Sequence, residues 1–181
     1  MKYLYAIIIL LIAQHSHALE CKLGNTQLKL EKCKNQVCIF EGKNIHTLDI
    51  PSNSIDQIKC RDVNFDGKLD ILVEQPPSGR TQETKVYLFN KEKNEYIFNE
   101  SISKLPCLSI NKKEKTVSGS CFTSSACDRW SEKYSVFNYY LKLIEVEGTY
   151  CDPASGQTYK YIEKYDRKGH QIYKNVEEIN E

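Results

Sequence analysis

The chain has 181 residues, of which 27% are charged, with a formal net charge of +1 at neutral pH. That balance leaves no basic surplus to draw the chain to nucleic acid. Its length suits one domain with a core of its own.

The first eighteen residues read as a leader. Lys2 supplies a positive start, Tyr5 to Ala13 is an apolar run, and Ser16-His17-Ala18 fits a small-x-small cleavage site. Residues 1–18 are therefore expected to be a secretory signal peptide, too short and wrongly flanked for a membrane span. Glu20 directly before Cys21 argues against a lipidated cysteine. The expected product is periplasmic or secreted. Its removal takes away Lys2 and no other charged residue, so the remaining chain is formally neutral.

All eight cysteines lie beyond the leader: Cys21, Cys33, Cys38, Cys60, Cys107, Cys121, Cys127 and Cys151. An even count in an exported chain reads as four disulfides. No pair has C-x-x-C spacing, and the single histidine among the cysteines, His46, lies at no zinc-ligand spacing from Cys38 or Cys60, so a zinc or redox site has no support. Cys33 and Cys38 flank the turn-like stretch Lys34–Val37, and two antiparallel strands would bring them together. The other pairings stay open.

Next comes Asp62-Val-Asn-Phe-Asp-Gly-Lys-Leu-Asp70. Calcium is a hard cation that takes several oxygen ligands at short range. Alternate residues can turn Asp62, Asn64 and Asp66 to one centre, Gly67 permits the tight turn, and the Lys68 carbonyl and Asp70 complete the set. The twelfth position of an EF-hand loop would need Glu, and Val73 stands there. The loop therefore reads as a short calcium loop feeding straight into a strand at Ile71–Val73. A plain polar turn is the competing reading, since Asp, Asn and Gly favour turns.

Short strands follow. Val86–Asn90 and Glu95–Asn99 are β-branched and aromatic, and polar Lys91–Asn94 separates them as a hairpin turn. Ile102–Leu108 has room for one helical turn. Tyr134–Phe137 and Leu141–Glu147 form a second hairpin turning near Asn138. Gln157–Tyr165 alternates, Asp166–Gly169 is a turn, and His170–Lys174 is a last strand. Residues 175–181 are polar and expected to fray. The pattern predicts an all-β domain over 19–174, an antiparallel β-sandwich or a partly closed barrel of hairpins.

Catalytic signals are sparse. Beyond the leader the histidines are His46 and His170, neither beside a recognisable partner, and no nucleophile elbow or metalloprotease motif occurs. A carboxylate pair is the remaining catalytic option, and no spacing singles one out. The chain is expected not to be an enzyme. Ser155-Gly156-Gln157-Thr158-Tyr159 sits at a predicted hairpin tip just after Cys151. Its simplest role is a turn. As a projecting loop it could fill a partner's cleft, with the Ser155 hydroxyl both donating and accepting hydrogen bonds. Ser118–Cys127 is a second candidate binding loop.

Several segments in order carry a resemblance: D-x-N-x-D-G-x-x-D-I, the hairpin YLFN…EYIFNESISKLP, a serine- and cysteine-rich stretch, and Y-x-x-x-N-x-x-L-x-L-I-E-V-E. Between Ile58 and Tyr165 the chain resembles small exported bacterial proteins. Their best-known type is the periplasmic immunity partner of a peptidoglycan-hydrolysing type IV secretion effector, similar in fold to periplasmic lysozyme inhibitors. The resemblance implies calcium ligands at Asp62, Asn64, Asp66, Lys68 (carbonyl) and Asp70. It implies inhibition of a lysozyme-like peptidoglycan hydrolase by filling its cleft. Ser155, Gly156 and Tyr159 match the S-G-x-x-Y loop of several lysozyme inhibitors in spelling. A calcium-dependent adhesion or surface-binding module is the alternative.

Overall fold

Alternation explains most of the strands. In Thr26–Cys33 (β2) the apolar Leu28 and Leu30 fall on one face and are buried, while Gln27 and Lys29 face water. β2 sits in a meander with β1 (Leu19–Leu23), β3 (Gln36–Glu41) and β4 (Asn44–Leu48), joined by two-residue turns. Of these the sequence reading caught only the hairpin at Cys33 and Cys38, although the alternation in β1 and β2 was equally open to it. The computed structural model describes residues 18–179. The expected leader lies outside the described residues except for Ala18.

A 3-10 turn over Ser52–Gln57 leads to the second sheet, β5 (Ile58–Arg61), β6 (Asp70–Glu74), β7 (Thr84–Asn90) and β8 (Glu95–Phe98), again in sequence order. The third begins after α1 (Glu100–Ser103). It runs β9 (Ser109–Asn111), β10 (Thr116–Thr123), β11 (Arg129–Phe137), β12 (Tyr140–Cys151), β13 (Thr158–Tyr165) and β14 (Gln171–Ile179). Every pairing is antiparallel. The sheets stack as layers, so the sandwich form of the expectation holds and the barrel form does not.

The second sheet is the middle layer and is buried on both faces. Ile58, Cys60, Ile71 and Val73 pack against Leu28, Leu30, Val37, Ile39 and Leu48 of the first sheet. Leu72, Val86 and Leu88 point the other way, onto Ile102, Leu105 and Val117. Fully burying one such side chain contributes roughly 1.5–3 kcal/mol. Asn99 caps α1, accepting from the Ile102 N–H at 2.9 Å and donating to the Tyr139 carbonyl at 2.9 Å. Those two bonds commit the Asn99 side chain to the fold.

The cysteines pair as four disulfides. Cys21–Cys60 ties the first sheet to the second, and Cys33–Cys38 closes the β2–β3 hairpin. Cys107–Cys121 and Cys127–Cys151 fasten one end of the third sheet. Cys21 is thus occupied by a disulfide.

The outer part of the third sheet projects as a wing. Neighbouring residues Ile172 and Tyr173 point to opposite faces of β14, yet are 66% and 48% exposed, so both faces of the wing are open there. Asn175–Ile179 was expected to fray. It instead completes β14 and pairs with Thr158–Ile162 of β13. Its adjacent charged residues Glu177 and Glu178 point to opposite faces, both of which meet water.

Candidate functional site: an acidic loop and a disulfide-stapled edge

Arg61 and Asp70 are opposite partners in β5 and β6, so residues 62–69 are the loop of one hairpin. Phe65 and Gly67 adopt φ of 60° and 84°, which folds the loop back on itself. The acidic side chains organise it. Asp62 accepts from the N–H groups of Asp66 and Gly67, both at 3.0 Å. Asn64 Oδ1 accepts from Asp66 N–H at 3.3 Å, and Asp66 Oδ1 from Lys68 N–H at 2.8 Å.

Asp70 faces inward, on the same face as Leu72, and is fully buried. Its two oxygens accept from Val63 N–H at 2.7 Å and Phe89 N–H at 2.9 Å, which fastens the loop to the middle sheet. Burial pushes its carboxyl up to about 7, against the pull of those two bonds, and the charges of Asp66 and Asp62 add to the rise.

Do these residues fit a calcium ion? Among the described residues, no three Asp, Glu, His or Cys side chains form a metal-type cluster. The expected set, however, leans on Asn64 and the Lys68 carbonyl as well as on carboxylates. Its donors are all oxygen, which suits a hard cation. Each Asp70 oxygen accepts one hydrogen bond and has a second lone pair left. The negative charge is poorly matched: Lys91 Nζ approaches Asp66, at 2.8 Å from its carbonyl and 3.5 Å from Oδ2. A buried carboxylate held against two acidic neighbours is a place where a divalent cation is stabilising. The residues therefore fit the ion in chemistry.

The second candidate lies at one end of the third sheet. Of the stretch Ser118–Cys127, Ser118–Thr123 belongs to β10 and only residues 124–127 are loop; that loop is joined to the 155–159 turn's hairpin. Cys127, at the tip of the β10–β11 hairpin, is bonded to Cys151, at the base of the β12–β13 hairpin. Each loop is closed on an aspartate. Asp128 accepts from Ser124 Oγ at 3.1 Å and from Cys151 N–H at 3.2 Å. Asp152 accepts from Ser155 Oγ at 2.7 Å and from Ala154 N–H at 3.1 Å. Hydrogen bonding holds both carboxyls below the usual aspartate range, from the Ser125 hydroxyl first and then Cys151 N–H and Ser124 at Asp128, and from Ser155 and then Ala154 N–H at Asp152.

The Ser155 hydroxyl is consequently spent within its own loop, donating to Asp152 and accepting from Gln157 N–H at 3.3 Å. Gly156 takes φ of 73° and donates its N–H to the Asp152 carbonyl at 2.8 Å. Tyr159 is separate from that turn. Its ring stacks on Tyr150 at 5.3 Å and its hydroxyl donates to Gln157 Oε1 at 2.9 Å. The structure thus brings Ser155 and Gly156 into a rigid turn and leaves Tyr159 on the adjoining aromatic face. The organising residues, Asp128 and Asp152, escaped the sequence reading. The signal was their position directly after Cys127 and Cys151.

The histidines serve packing and turns. His46 lies edge-on to Phe89 and Tyr96 at 5.7 and 5.6 Å, with its Nε2 buried and unpartnered. His170 donates its backbone N–H to Asp166 at 2.9 Å in the β13–β14 turn.

Layered antiparallel sheets with four disulfides and an acidic hairpin loop define a disulfide-stapled all-β protein of the kind found in oxidising compartments. No protein-family model matches the chain, and no curated protein matches it. A solved structure described as a type IV secretion system related protein of Xanthomonas is similar, with a TM-score of 0.60 and 18% identity over 93% of this chain and 95% of that one. At that identity the likeness establishes a shared fold along nearly the whole of both chains.

Proposed function

We propose that the protein is an exported calcium-binding protein that binds and inhibits a lysozyme-like peptidoglycan hydrolase. The observation that carries the reading is the Cys127–Cys151 staple. It joins two hydrogen-bonded loops into one projecting edge, ordered before any partner arrives. Preordering of this kind lowers the entropic cost of entering a cleft. The four disulfides suit a periplasmic or secreted location. The similar Xanthomonas structure is described as related to a type IV secretion system, which fits a partner delivered by such a system.

Calcium, held by Asp62, Asn64, Asp66, the Lys68 carbonyl and Asp70, supplies charge balance to the loop. The chain's own residues do the rest: Asp70 ties the loop to Val63 and Phe89, and Asp128 and Asp152 shape the edge. Binding, not turnover, is the role assigned to the chain. The test is lysis of purified cell walls by lysozyme-like hydrolases with and without the chain. Slowed lysis by an equimolar amount supports the reading, and unchanged rates across a broad panel oppose it.

A second reading, a calcium-dependent surface-binding module, is favoured by the open face that carries Trp130, Tyr150 and Tyr161. These line a groove of about 410 Å³ with Glu163 and Lys174 at its side. Calcium-dependent binding to whole cells, with no effect on any hydrolase, would select it.

A further inference from the structure

The polar face of the wing carries a cleft of about 680 Å³ beside the stapled edge. Arg80, Arg129 and Lys160 line it, with Glu147, Ser131 and Thr149; the Thr149 hydroxyl donates to the Cys127 carbonyl at 2.7 Å and the Ser131 hydroxyl to Glu147 Oε1 at 3.5 Å. We propose that this cleft binds a carboxylate-bearing saccharide.

The strand register sets out the groups. Arg129 pairs with Thr149, and Thr149 with Lys160, so the three share one face in a row across β11, β12 and β13. Strands lie about 4.8 Å apart, which puts Arg129 and Lys160 roughly 10 Å from each other on either side of Thr149. Both are long enough to reach one carboxylate placed above Thr149. Ser131 and Glu147 form the next row on that face. Between the rows, Trp130 and Gly148 turn away. The Trp130 ring stacks on Phe122 at 5.4 Å, and a Cβ at Gly148 would meet Trp130 and Tyr161 rather than the cleft. The floor is therefore bare strand, on which a flat ring can rest.

The cations are uncommitted. Among the described residues no carboxylate lies within ion-pair distance of Arg80, Arg129 or Lys160. Arg129 is also aimed: its Nε donates to the Ala126 carbonyl at 3.0 Å, which fixes the guanidinium and leaves its terminal nitrogens free. Glu147 narrows the ligand class. A polyanion would meet its charge, whereas a saccharide offers a hydroxyl or amide N–H beside its carboxylate, and Glu147 can accept from that donor. The volume is that of a small-molecule site.

The assignment rests on the cleft alone and is independent of hydrolase inhibition. The experiment is titration of the full mature chain with N-acetylmuramic acid and with N-acetylglucosamine. The two sugars differ by the lactyl carboxylate. Calorimetry reports binding. The expected result is saturable binding of N-acetylmuramic acid, at least about tenfold weaker for N-acetylglucosamine, and weakened by salt. Arg129→Gln with Lys160→Gln should weaken it at least about tenfold and leave the melting temperature unchanged, because both positions are exposed. Equal binding of the two sugars, binding that survives the double substitution, or no binding at about 10 mM would overturn the proposal. So would binding of poly-glutamate in place of the sugar, which would assign the cleft to an acidic protein surface.

Discussion

Asp70 gives the sharpest physical prediction. In the calcium-free protein its carboxyl is raised from 3.8 to about 7 by burial. The folded state therefore holds that proton more tightly than the unfolded chain does. The contribution to stability is full below pH ~4 and is lost as pH rises to ~7. About three pH units at 1.36 kcal/mol each make a loss of about 4 kcal/mol across that window. With a urea m-value of about 2 kcal/mol per molar, the unfolding midpoint should fall by roughly 2 M between pH 4 and pH 7. Calcium should flatten that slope by offsetting the carboxylate charge, and at a hundredfold excess over its dissociation constant should add about 2.7 kcal/mol near neutral pH. Asp70→Asn should remove both the slope and the calcium response. It should also lose about 1–3 kcal/mol at pH 4, because Val63 N–H and Phe89 N–H each donate to a different Asp70 oxygen and the amide NH2 that replaces one of them cannot accept. Urea unfolding at several pH values, with metal removed or in excess, reads all of this. The reasoning is refuted if the metal-free protein gains stability from pH 4 to 7, or if Asp70→Asn keeps the wild-type slope.

Other predictions concern the edge and the wing. Replacing Cys127 and Cys151 together by Ser opens a link spanning 24 positions and should lower stability by about 3 kcal/mol on the chain-entropy account; denaturant midpoints measure it. The same variant should inhibit its hydrolase more weakly under conditions where it remains folded, read from lysis rates. Ser155→Ala with Tyr159→Ala should abolish inhibition with only a small loss in melting temperature, since Ser155 is exposed and Tyr159 is half-buried against Tyr150; retained inhibition would move the contact to the 124–128 loop. Gly148→Ala would place a Cβ 2.4 Å from the Arg129 carbonyl and should cost about 1–3 kcal/mol, with a shifted Trp130 emission as the strands part.

The hairpins after Val86 were legible because each strand is short, aromatic or β-branched, and bounded by a polar turn. The middle sheet shows its position in Asp70–Val73, whose consecutive burial reflects packing on both faces. What lay beyond the sequence was how sheets stack and which cysteines meet. Cys127 and Cys151 belong to different hairpins, and only the β11–β12 pairing brings those hairpin ends side by side. The acidic loop was legible as a spacing. That Asp70 turns inward follows from its sharing a face with Leu72, a consequence of register and not of composition. Arg80, Arg129 and Lys160 are scattered in sequence and met only in the fold; singly, each reads as ordinary solvated charge. The tail misled because a short polar, charged stretch signals an exposed strand and a frayed end equally well.

One measurement bears most directly on the inhibitor reading: the rate of cell-wall lysis by lysozyme-like hydrolases, including effectors delivered by type IV secretion systems, titrated with the calcium-loaded chain. The account predicts stoichiometric slowing of at least one hydrolase, lost when the Cys127–Cys151 edge is altered and kept when the fold is otherwise intact. Unchanged lysis at a large molar excess, with every hydrolase in the panel, would contradict it.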